Sequence, residues 1–400
     1  MKWSFQIGSI RGIPIKLHVT FLIILLAVIW LFAVNNYRIE TFGITIGFGG
    51  LNISTGLKFL LGAIAAVLFF ATLLFHELSH SFVAQRYGAR IRGITLFVIG
   101  GVSQMDEIPK EPRMETRISA AGPGLSLGIG IISYAIYFIF GPVSGIEKEV
   151  ENVIRGETVT SSIFIPDPTF VNAMLIIVGI IAFYNILLGL FNLIPAFPMD
   201  GGRLLRAWLA KRMSYIDATR RAVAVGKSFA FAMGILGLFT LQFFLLLIAI
   251  FIYFGGSEEE RATVVSVTLE GVKVRDLMTR VPDVIYVPPD WTIDQLIEVM
   301  FKTKHMGYPV QESLNSPVLG VVTFADVQRI PASMRSTTRI QDVMKRDLIA
   351  IRPDADAYDA LKLMSTRNVG RLLVMEDGQM KGLVSRTDLM RAIQFLGTYR

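Results

Sequence analysis

Five long runs of apolar residues limit what this chain can fold into. They cover residues 17–34, 57–75, 119–140, 171–195 and 225–254. The first four each approach the length of about 20 apolar residues that a helix needs to cross the hydrocarbon core of a bilayer. Only 18% of the residues are charged, whereas a soluble protein is about a quarter charged. The sequence after these runs resembles that of an ordinary soluble protein, so we predict a polytopic membrane protein with a soluble C-terminal part.

The charges between the runs predict the orientation. Lysine and arginine are concentrated in residues 1–17, 81–117 and 201–227, whereas acidic residues outnumber them in residues 141–170. Because positive charge favours the cytoplasmic side of short loops, this alternation places the N-terminus in the cytoplasm. It also explains the net charge of +7 without nucleic acid as a partner.

The last apolar run, residues 225–254, allows two interpretations. One straight helix over it would be about 45 Å long, more than the bilayer core requires. Glycine and polar residues lie in its middle. We therefore expect two short helices around a tight turn, which makes six spans and returns the C-terminal part to the cytoplasm. A single tilted helix would instead place that part outside.

The chain has no cysteine. Disulfides, thiol catalysis and cysteine-ligated zinc are therefore excluded. The sequence has four histidines, His18, His76, His80 and His305. A metal site must use few of them, together with carboxylates.

The segment HELSH, at residues 76–80, predicts a metal site. On a helix, positions i and i+4 share a face, so His76 and His80 can hold one metal ion. Glu77 lies beside them, where it can polarise a water molecule, as in the HExxH pattern of zinc metalloproteases. Ionisable groups in an apolar helix are costly unless they face each other, a metal or water. The alternative is an interfacial cluster that solvates a helix end.

A catalytic zinc usually takes a third protein ligand from elsewhere in the chain. His18, Asp106 and Glu107 are candidates, but Asp200 is the better one. It follows two prolines that end the fourth apolar run, and irregular backbone is tolerated at membrane depth only where it lines protein or a wet cavity. The predicted topology places this aspartate at the same depth as the two histidines. The alternative is an exposed aspartate in a helix-terminating turn.

HELSH together with NLIPAFPMDGGR, at residues 192–203, resembles the site-2 protease family of intramembrane metalloproteases. The resemblance implies a six-helix core with a small membrane-associated β region. It also implies His76, His80 and Asp200 as zinc ligands and Glu77 as general base and acid. Asn192 matches a family asparagine that helps to hold the substrate or the oxyanion. Gly100 and Gly101 lie in a segment similar to the family's membrane-inserted strand, which could pair with an unwound substrate.

The soluble part contains an imperfect repeat. Each copy begins with a D-[LV]-M segment and ends with a glycine, two apolar residues, Thr or Ser, and an aspartate three positions later. We predict strands over 283–287, 319–323, 371–375 and 381–385, with helices over 293–302 and 357–365.

The repeat resembles a pair of CBS domains. That family implies adenine nucleotide (AMP, ADP or ATP) as a regulator. Carried over residue by residue, the nucleotide contacts would come from Thr323, Asp326, Ser385, Asp388 and Arg371. The alternative is a pair that serves only in dimerisation, and we expect that the CBS pair can join two copies as a homodimer.

The expected fold class is a polytopic α-helical membrane protein followed by a soluble α/β CBS pair. The expected domains are an intramembrane metalloprotease domain, a linker and two CBS repeats, at residues 1–256, 257–271, 272–334 and 335–400. The expected activity is zinc-dependent hydrolysis of a peptide bond in or near a transmembrane helix of a membrane protein, with N-terminus and CBS pair in the cytosol.

A transporter or channel and an inactive scaffold are the alternatives. The polar groups gather at one metal-like site rather than along a path, and HELSH and Asp200 are intact, so both alternatives are disfavoured.

Overall fold

A computed structural model describes residues 3–98, 100–105, 109–154, 168–314 and 316–399. The chain forms two compact units, Met1–Glu260 and Arg261–Arg400.

The first unit is mainly helical. Its helices are α1 (Val19–Val34), α2 (Thr55–Arg86), α3 (Pro112–Ile154), α4 (Pro168–Asn192), α5 (Asp200–Leu209), α6 (Tyr215–Phe239) and α7 (Phe243–Thr268), which continues beyond the end of the unit. Among the described residues, four helical stretches are long and apolar enough to cross a membrane: Thr55–Arg86, Pro112–Phe140, Phe170–Asn192 and Tyr215–Phe239. Helix α1 is apolar but shorter. The polytopic helical class is therefore confirmed, and the count of six spans stays a prediction.

The last apolar run is divided as expected. Helix α6 ends at Phe239 and α7 begins at Phe243. Leu241 turns the chain between them with a φ of 54°. A Cβ on Gly237 would lie 3.1 Å from the Cβ of Leu245, so the two helices approach closely beside the turn.

The segment after this hairpin is mostly helical. We expected a linker over residues 257–271, but α7 runs through most of it to Thr268. Residues 258–270 contain neither glycine nor proline, so nothing in them interrupts a helix.

Two small sheets accompany the helices. The first has the order β1-β2-β5-β6, with β2 and β5 parallel and the other neighbours antiparallel. The second pairs β3 with β4 around a short 3₁₀ helix at Glu40–Phe42. The strands are β1 (Ser4–Ile10), β2 (Ile13–His18), β3 (Tyr37–Ile39), β4 (Ile44–Ile46), β5 (Ile91–Phe97) and β6 (Gly100–Met105). The first sheet is the β region that the sequence predicted, and β6 forms one of its edges.

The second unit contains two similar halves. Its elements are α8 (Val274–Leu277), β7 (Thr279–Arg280), α9 (Ile293–Thr303), β8 (Gly307–Val310), β9 (Gly320–Thr323), α10 (Phe324–Val327), a 3₁₀ helix (Ala332–Met334), α11 (Ile340–Val343), β10 (Ala350–Ile351), α12 (Ala357–Arg367), β11 (Arg371–Glu376), β12 (Gln379–Ser385) and α13 (Arg386–Tyr399). Strand β8 pairs with β9 as β11 pairs with β12. The predicted repeat therefore has the expected α/β structure.

One predicted strand is wrong. Residues 283–287 form no strand, and Val287 alone bridges to Val310. Pro288 and Pro289 follow directly and cannot donate hydrogen bonds to extend the ladder.

The two halves exchange their first segments. Strand β7, from the first half, pairs with β12 of the second, and Lys345 from the second half bridges to Val321 of the first. A Cβ on Gly320 would lie 2.6 Å from the Sδ of Met344. The same relation joins Gly382 and the Sδ of Met278 at 2.9 Å. The repeated methionine of each half therefore packs on the repeated glycine of the other.

Glycine also permits close helix packing in the first unit, which gives a prediction. A Cβ on Gly62 of α2 would lie 2.9 Å from the carbonyl oxygen of Ile29 in α1, whereas one on Gly128 of α3 would meet no atom within 4 Å. Alanine raises helix propensity at both sites by about 1 kcal/mol, but overpacking costs about 1–3 kcal/mol. We expect Gly62→Ala to lower the melting temperature in detergent and Gly128→Ala not to lower it. Equal melting temperatures would contradict this packing.

Candidate metal centre and active site

Three side chains from two distant parts of the chain meet in the first unit. His76 and His80 lie in α2, and Asp200 is the first residue of α5. The Nε2 atoms of the histidines are 3.3 Å apart. The Oδ2 atom of Asp200 lies 3.5 Å from the Nε2 of His76 and 3.1 Å from that of His80. Among the described residues, this is the one group of three or more possible ligands that converges in this way.

Helix α3 orients both imidazole rings. The Nδ1 of His80 lies 2.7 Å from the carbonyl oxygen of Ile118, and the Nδ1 of His76 lies 2.9 Å from the Oγ of Ser126. Because a carbonyl oxygen can only accept, the Nδ1 of His80 is the protonated nitrogen. In the neutral ring, its Nε2 lone pair is then free for a cation.

Gly122 of α3 leaves room for the two histidine rings. A Cβ at this position would lie 2.1 Å from the Nε2 of His80 and 2.7 Å from that of His76. No real Cβ tolerates such contacts, so any side chain here would displace the rings. A glycine is required between the two α3 residues that orient the histidines.

A closely packed loop places Asp200. Helix α4 ends at Asn192, and residues 193–199 are irregular, as the prolines predicted. A Cβ on Gly201 would lie 2.2 Å from the carbonyl oxygen of Ile194, and one on Gly202 would lie 2.6 Å from the backbone nitrogen of Phe197. The two glycines therefore let the start of α5 pack directly on the loop.

The three side chains fit a zinc ion. Ligand atoms at about 2.0–2.1 Å from a tetrahedral zinc lie roughly 3.3–3.4 Å from one another. The observed separations run from 3.1 to 3.5 Å. Two imidazoles and a carboxylate are ordinary ligands of catalytic zinc and leave a fourth position for water.

Glu77 lies between the metal-ligand candidates and the sheet. It is half-buried in α2, next to His76 in sequence. A Cβ on Gly101 of β6 would lie 2.6 Å from the Cγ of Glu77. The Oγ atoms of Ser81 and Ser103 are 2.9 Å apart, which ties β6 to α2 one turn further on. The edge strand is therefore held against the carboxylate.

The structure also places the remaining candidates of this unit. Asn192 lies in the last turn of α4, where its amide donates to the carbonyl oxygen of Leu188 at 3.0 Å. Gly100 begins β6. His18 caps α1 by accepting from the backbone nitrogen of Thr20 and is not in the metal-ligand group. The alternative ligands at positions 106 and 107 lie outside the described residues.

The two predicted nucleotide motifs have the same local structure in the second unit. The Oδ2 of Asp326 accepts from the backbone nitrogen and the Oγ1 of Thr323, at 3.0 and 2.5 Å. The Oδ2 of Asp388 accepts from the backbone nitrogen and the Oγ of Ser385, at 2.9 and 2.6 Å. Each aspartate thus closes the first turn of the helix that follows its strand.

Arg371 connects the two halves of this unit. It begins β11 and donates from Nη1 to the carbonyl oxygen of Gly307 in β8. Burial lowers the pKa of Arg371, and this effect outweighs those of Tyr308 and Asp388, which raise it. A guanidinium that has lost water in this way would gain from contact with an anion.

Comparisons with known proteins identify two families in this chain. Residues 64–235 match the model of peptidase family M50, and residues 274–333 and 340–395 match that of the CBS domain. Zinc metalloprotease MJ0392 of Methanocaldococcus jannaschii is 34% identical over 396 residues, covering 99% of this chain and 98% of that protein. The solved structure of the site-2 protease from Methanocaldococcus jannaschii is 34% identical, covering 64% of this chain and 95% of that one, with a TM-score of 0.38. The structure of CBSX2 in complex with AMP is 26% identical, covering 32% and 100%, with a TM-score of 0.29.

This chain is a multi-pass membrane zinc metalloprotease. It has helices apolar enough to cross a membrane and two histidines that face a carboxylate, and a zinc metalloprotease is similar to it over nearly the full length of both chains. The chain belongs to peptidase family M50, the family of the site-2 proteases, and carries two CBS domains. The family and class expected from the two motifs are confirmed.

The contribution of α3 was not predicted from the sequence. Ile118, Gly122 and Ser126 follow one another at four-residue intervals, which places them on one helix face. That spacing is a weak signal because small residues are common in apolar helices. Only the structure, in which this face of α3 lies against the two histidines, shows why the three residues are spaced in this way.

The role of α3 gives a second prediction. We expect Gly122→Ala to reduce bound zinc to a small fraction of one ion per chain because the new Cβ would displace both histidine rings. Gly124→Ala is the matched control, since its Cβ would meet no atom within 4 Å. Elemental analysis of the purified proteins measures the effect. Full zinc content in both variants would show that the rings do not depend on this glycine.

Proposed function

We propose that this protein hydrolyses a peptide bond in or near a transmembrane helix of a membrane-embedded protein substrate. In this proposal His76, His80 and Asp200 hold the zinc ion, and Glu77 is the general base and acid. The observation that carries it is the convergence of the three ligand atoms within 3.1–3.5 Å, with a carboxylate beside them.

When bound, zinc supplies a Lewis acid that polarises the scissile carbonyl and lowers the pKa of water. Glu77 accepts a proton from the attacking water, whose oxygen bonds to the carbonyl carbon. Glu77 then delivers that proton to the leaving nitrogen as the C–N bond breaks. The half-buried position of Glu77 beside His76 supports this role.

The position of β6 at the edge of its sheet supports a way to present the substrate. An intact helix hides its carbonyls in i→i−4 hydrogen bonds, so the substrate must unwind before attack. Strand β6 is at the edge of its sheet, and an edge strand can add an extended peptide through backbone hydrogen bonds. Because Gly101 abuts Glu77, a peptide paired along β6 would run close to the base. Gly100, Gly101 and Asn192 are the proposed substrate contacts.

The charge pattern supports a cytosolic N-terminus and a cytosolic CBS pair. The α6–α7 hairpin, with its turn at residues 240–242, returns the chain towards the side from which α6 starts. A CBS pair in the cytosol meets adenine nucleotides there. The bilayer and the membrane-embedded substrate are the other partners in this proposal.

We further propose that AMP, ADP or ATP binds the CBS pair and alters proteolysis, and that the pair can join two copies as a homodimer. Thr323, Asp326, Ser385 and Asp388 would contact the ribose or phosphate, and Arg371 the phosphate. The matching hydrogen bonds of the two motifs support paired sites. Regulation requires that the nucleotide bind the active and inactive states with different affinity.

The base assignment gives a third prediction. We expect Glu77→Gln to abolish cleavage of a transmembrane-helix substrate in detergent while about one zinc per chain stays bound, because the amide cannot accept the proton. Asp200→Ala should lose both zinc and activity. Normal cleavage by the Glu77→Gln variant would sink the assignment of the base, and normal zinc content in the Asp200→Ala variant would refute the ligand set.

The nucleotide sites give a fourth prediction. Titration calorimetry of the full chain in detergent with AMP, ADP and ATP should give binding heat with at least one of them. We expect Asp388→Asn to weaken that binding roughly 10-fold or more, because a hydrogen bond to a charged group is lost. Asp377→Asn is the control, since Asp377 lies in the turn before β12 and outside both motifs.

The outcomes separate binding from regulation. No heat with any nucleotide would refute the sensor. Binding with identical cleavage rates in saturating nucleotide and in its absence would refute regulation alone.

A further inference from the structure

A buried arginine lies six residues after Asp200 on the same helix, nearly two turns beyond the proposed metal centre. Arg206 is 2% exposed and lies in α5, which begins with Asp200. Its Nε and Nη2 donate to the Oε1 of Glu115 in α3, at 2.8 and 2.5 Å. Its Nη1 donates to the Oε1 of Glu259 in α7, at 2.7 Å. One guanidinium therefore joins three helices.

Two aromatic rings enclose this guanidinium. The Cζ of Arg206 lies 4.9 Å from the ring centroid of Phe197 and 4.9 Å from that of Tyr215. Both contacts are within the range of a cation–π interaction. The hydroxyl of Tyr215 also donates to the Oε1 of Glu115 at 3.3 Å. The position of the arginine is thus defined from several directions.

The cluster is poorly explained by stability alone. Buried ion pairs lose hydration, and apolar residues of similar size often serve stability as well or better. Glu115 is fully buried, and its Oε2 has no hydrogen-bond partner among the described residues. An arrangement with this cost suggests that the geometry of the contact has a purpose.

The contacts between Arg206 and Glu115 join two elements of the proposed metal centre. Glu115 lies three residues before Ile118, whose carbonyl oxygen accepts from His80. Helix α3 thus orients the histidines, and Glu115 belongs to the same helix. Arg206 belongs to the helix that carries Asp200. The Arg206–Glu115 pair therefore links the element that orients two ligands to the element that supplies the third.

Helix α7 also supports the loop that leads to Asp200. Ile252 packs in one cluster with Ala196 and Met199 of the loop. A Cβ on Gly255 would lie 2.7 Å from the Cδ of Pro198. Glu259, further along α7, reaches Arg206. Burial would raise the pKa of Glu259, but Arg203 and Arg206 outweigh burial and hold it below its usual value, so the third partner is anionic.

We propose that Arg206 is a positioning residue for Asp200, and that its fork to Glu115 sets the distance between the aspartate and the two histidines. The inference rests on the proposed function in that Asp200 must ligate zinc. It predicts that the directional contact matters for zinc affinity beyond what packing contributes.

The experiment measures zinc affinity by competition with a chelator, and melting temperature in detergent, for the full chain. We expect Arg206→Met to weaken zinc binding about 10- to 100-fold, as loss of a residue that orients a ligand does. Arg206→Lys should fall between that variant and the wild type because it keeps the charge but not the fork. Arg220→Met is the control, since the exposed Arg220 also approaches a glutamate of α7, Glu260, at 4.0 Å. It should bind zinc as the wild type does.

A double variant separates positioning from packing. Arg206→Met with Glu115→Leu replaces this ion pair by apolar side chains. The part of the melting-temperature loss that comes from an unpaired Glu115 should therefore recover relative to Arg206→Met, while Glu259 still lacks its contact with Arg206. Zinc affinity should stay weak because the directional contact is still missing. This double variant also keeps the test decisive where a single variant fails to fold.

Two results would overturn the proposal. One is a recovery of zinc affinity together with the melting temperature in the double variant. The other is wild-type affinity in folded Arg206 variants. If Asp200→Ala itself keeps wild-type zinc affinity, the proposed ligand set fails instead, so the two failures are distinguishable.

Discussion

Polar side chains in an apolar protein interior must meet one another or a cation, because each otherwise loses the free energy of its hydration. His76, His80 and Asp200 satisfy this constraint jointly, within 3.5 Å of one another. Much of the first unit positions these three side chains. Helix α2 supplies the two histidines, the break after α4 lets the chain turn, and α5 begins with the carboxylate. In the proposed function, zinc binding depends on these elements keeping their relative positions.

Helix α3 orients the two histidines, although the residues that do so are not ionisable. The carbonyl of Ile118 and the hydroxyl of Ser126 orient the rings, and Gly122 keeps the space between them open. The same helix meets α5 through Glu115 and Arg206. A close-packed interior transmits small displacements. Changes in α3 would therefore reach the three candidate ligands even though this helix supplies none of them.

The second unit is a repeat in which each half supplies part of the packing of the other. The first segment of each half pairs with the last strand of the opposite half, and Met278 and Met344 pack on the opposite glycines. Neither half buries these contacts alone. The shared core explains why two similar copies occur together.

The sequence by itself determined the membrane class, the helical hairpin at residues 225–254, the repeat and the identity of the candidate ligands. These follow from local properties: apolar length, helical spacing, and proline or glycine breaks. Only the tertiary structure decided that α3 orients the histidines, that Arg206 meets Glu115, and that the strand expected at residues 283–287 is reduced to one bridge. The physical reason is that such contacts join residues far apart in the chain, and their direction depends on packing that spacing does not encode.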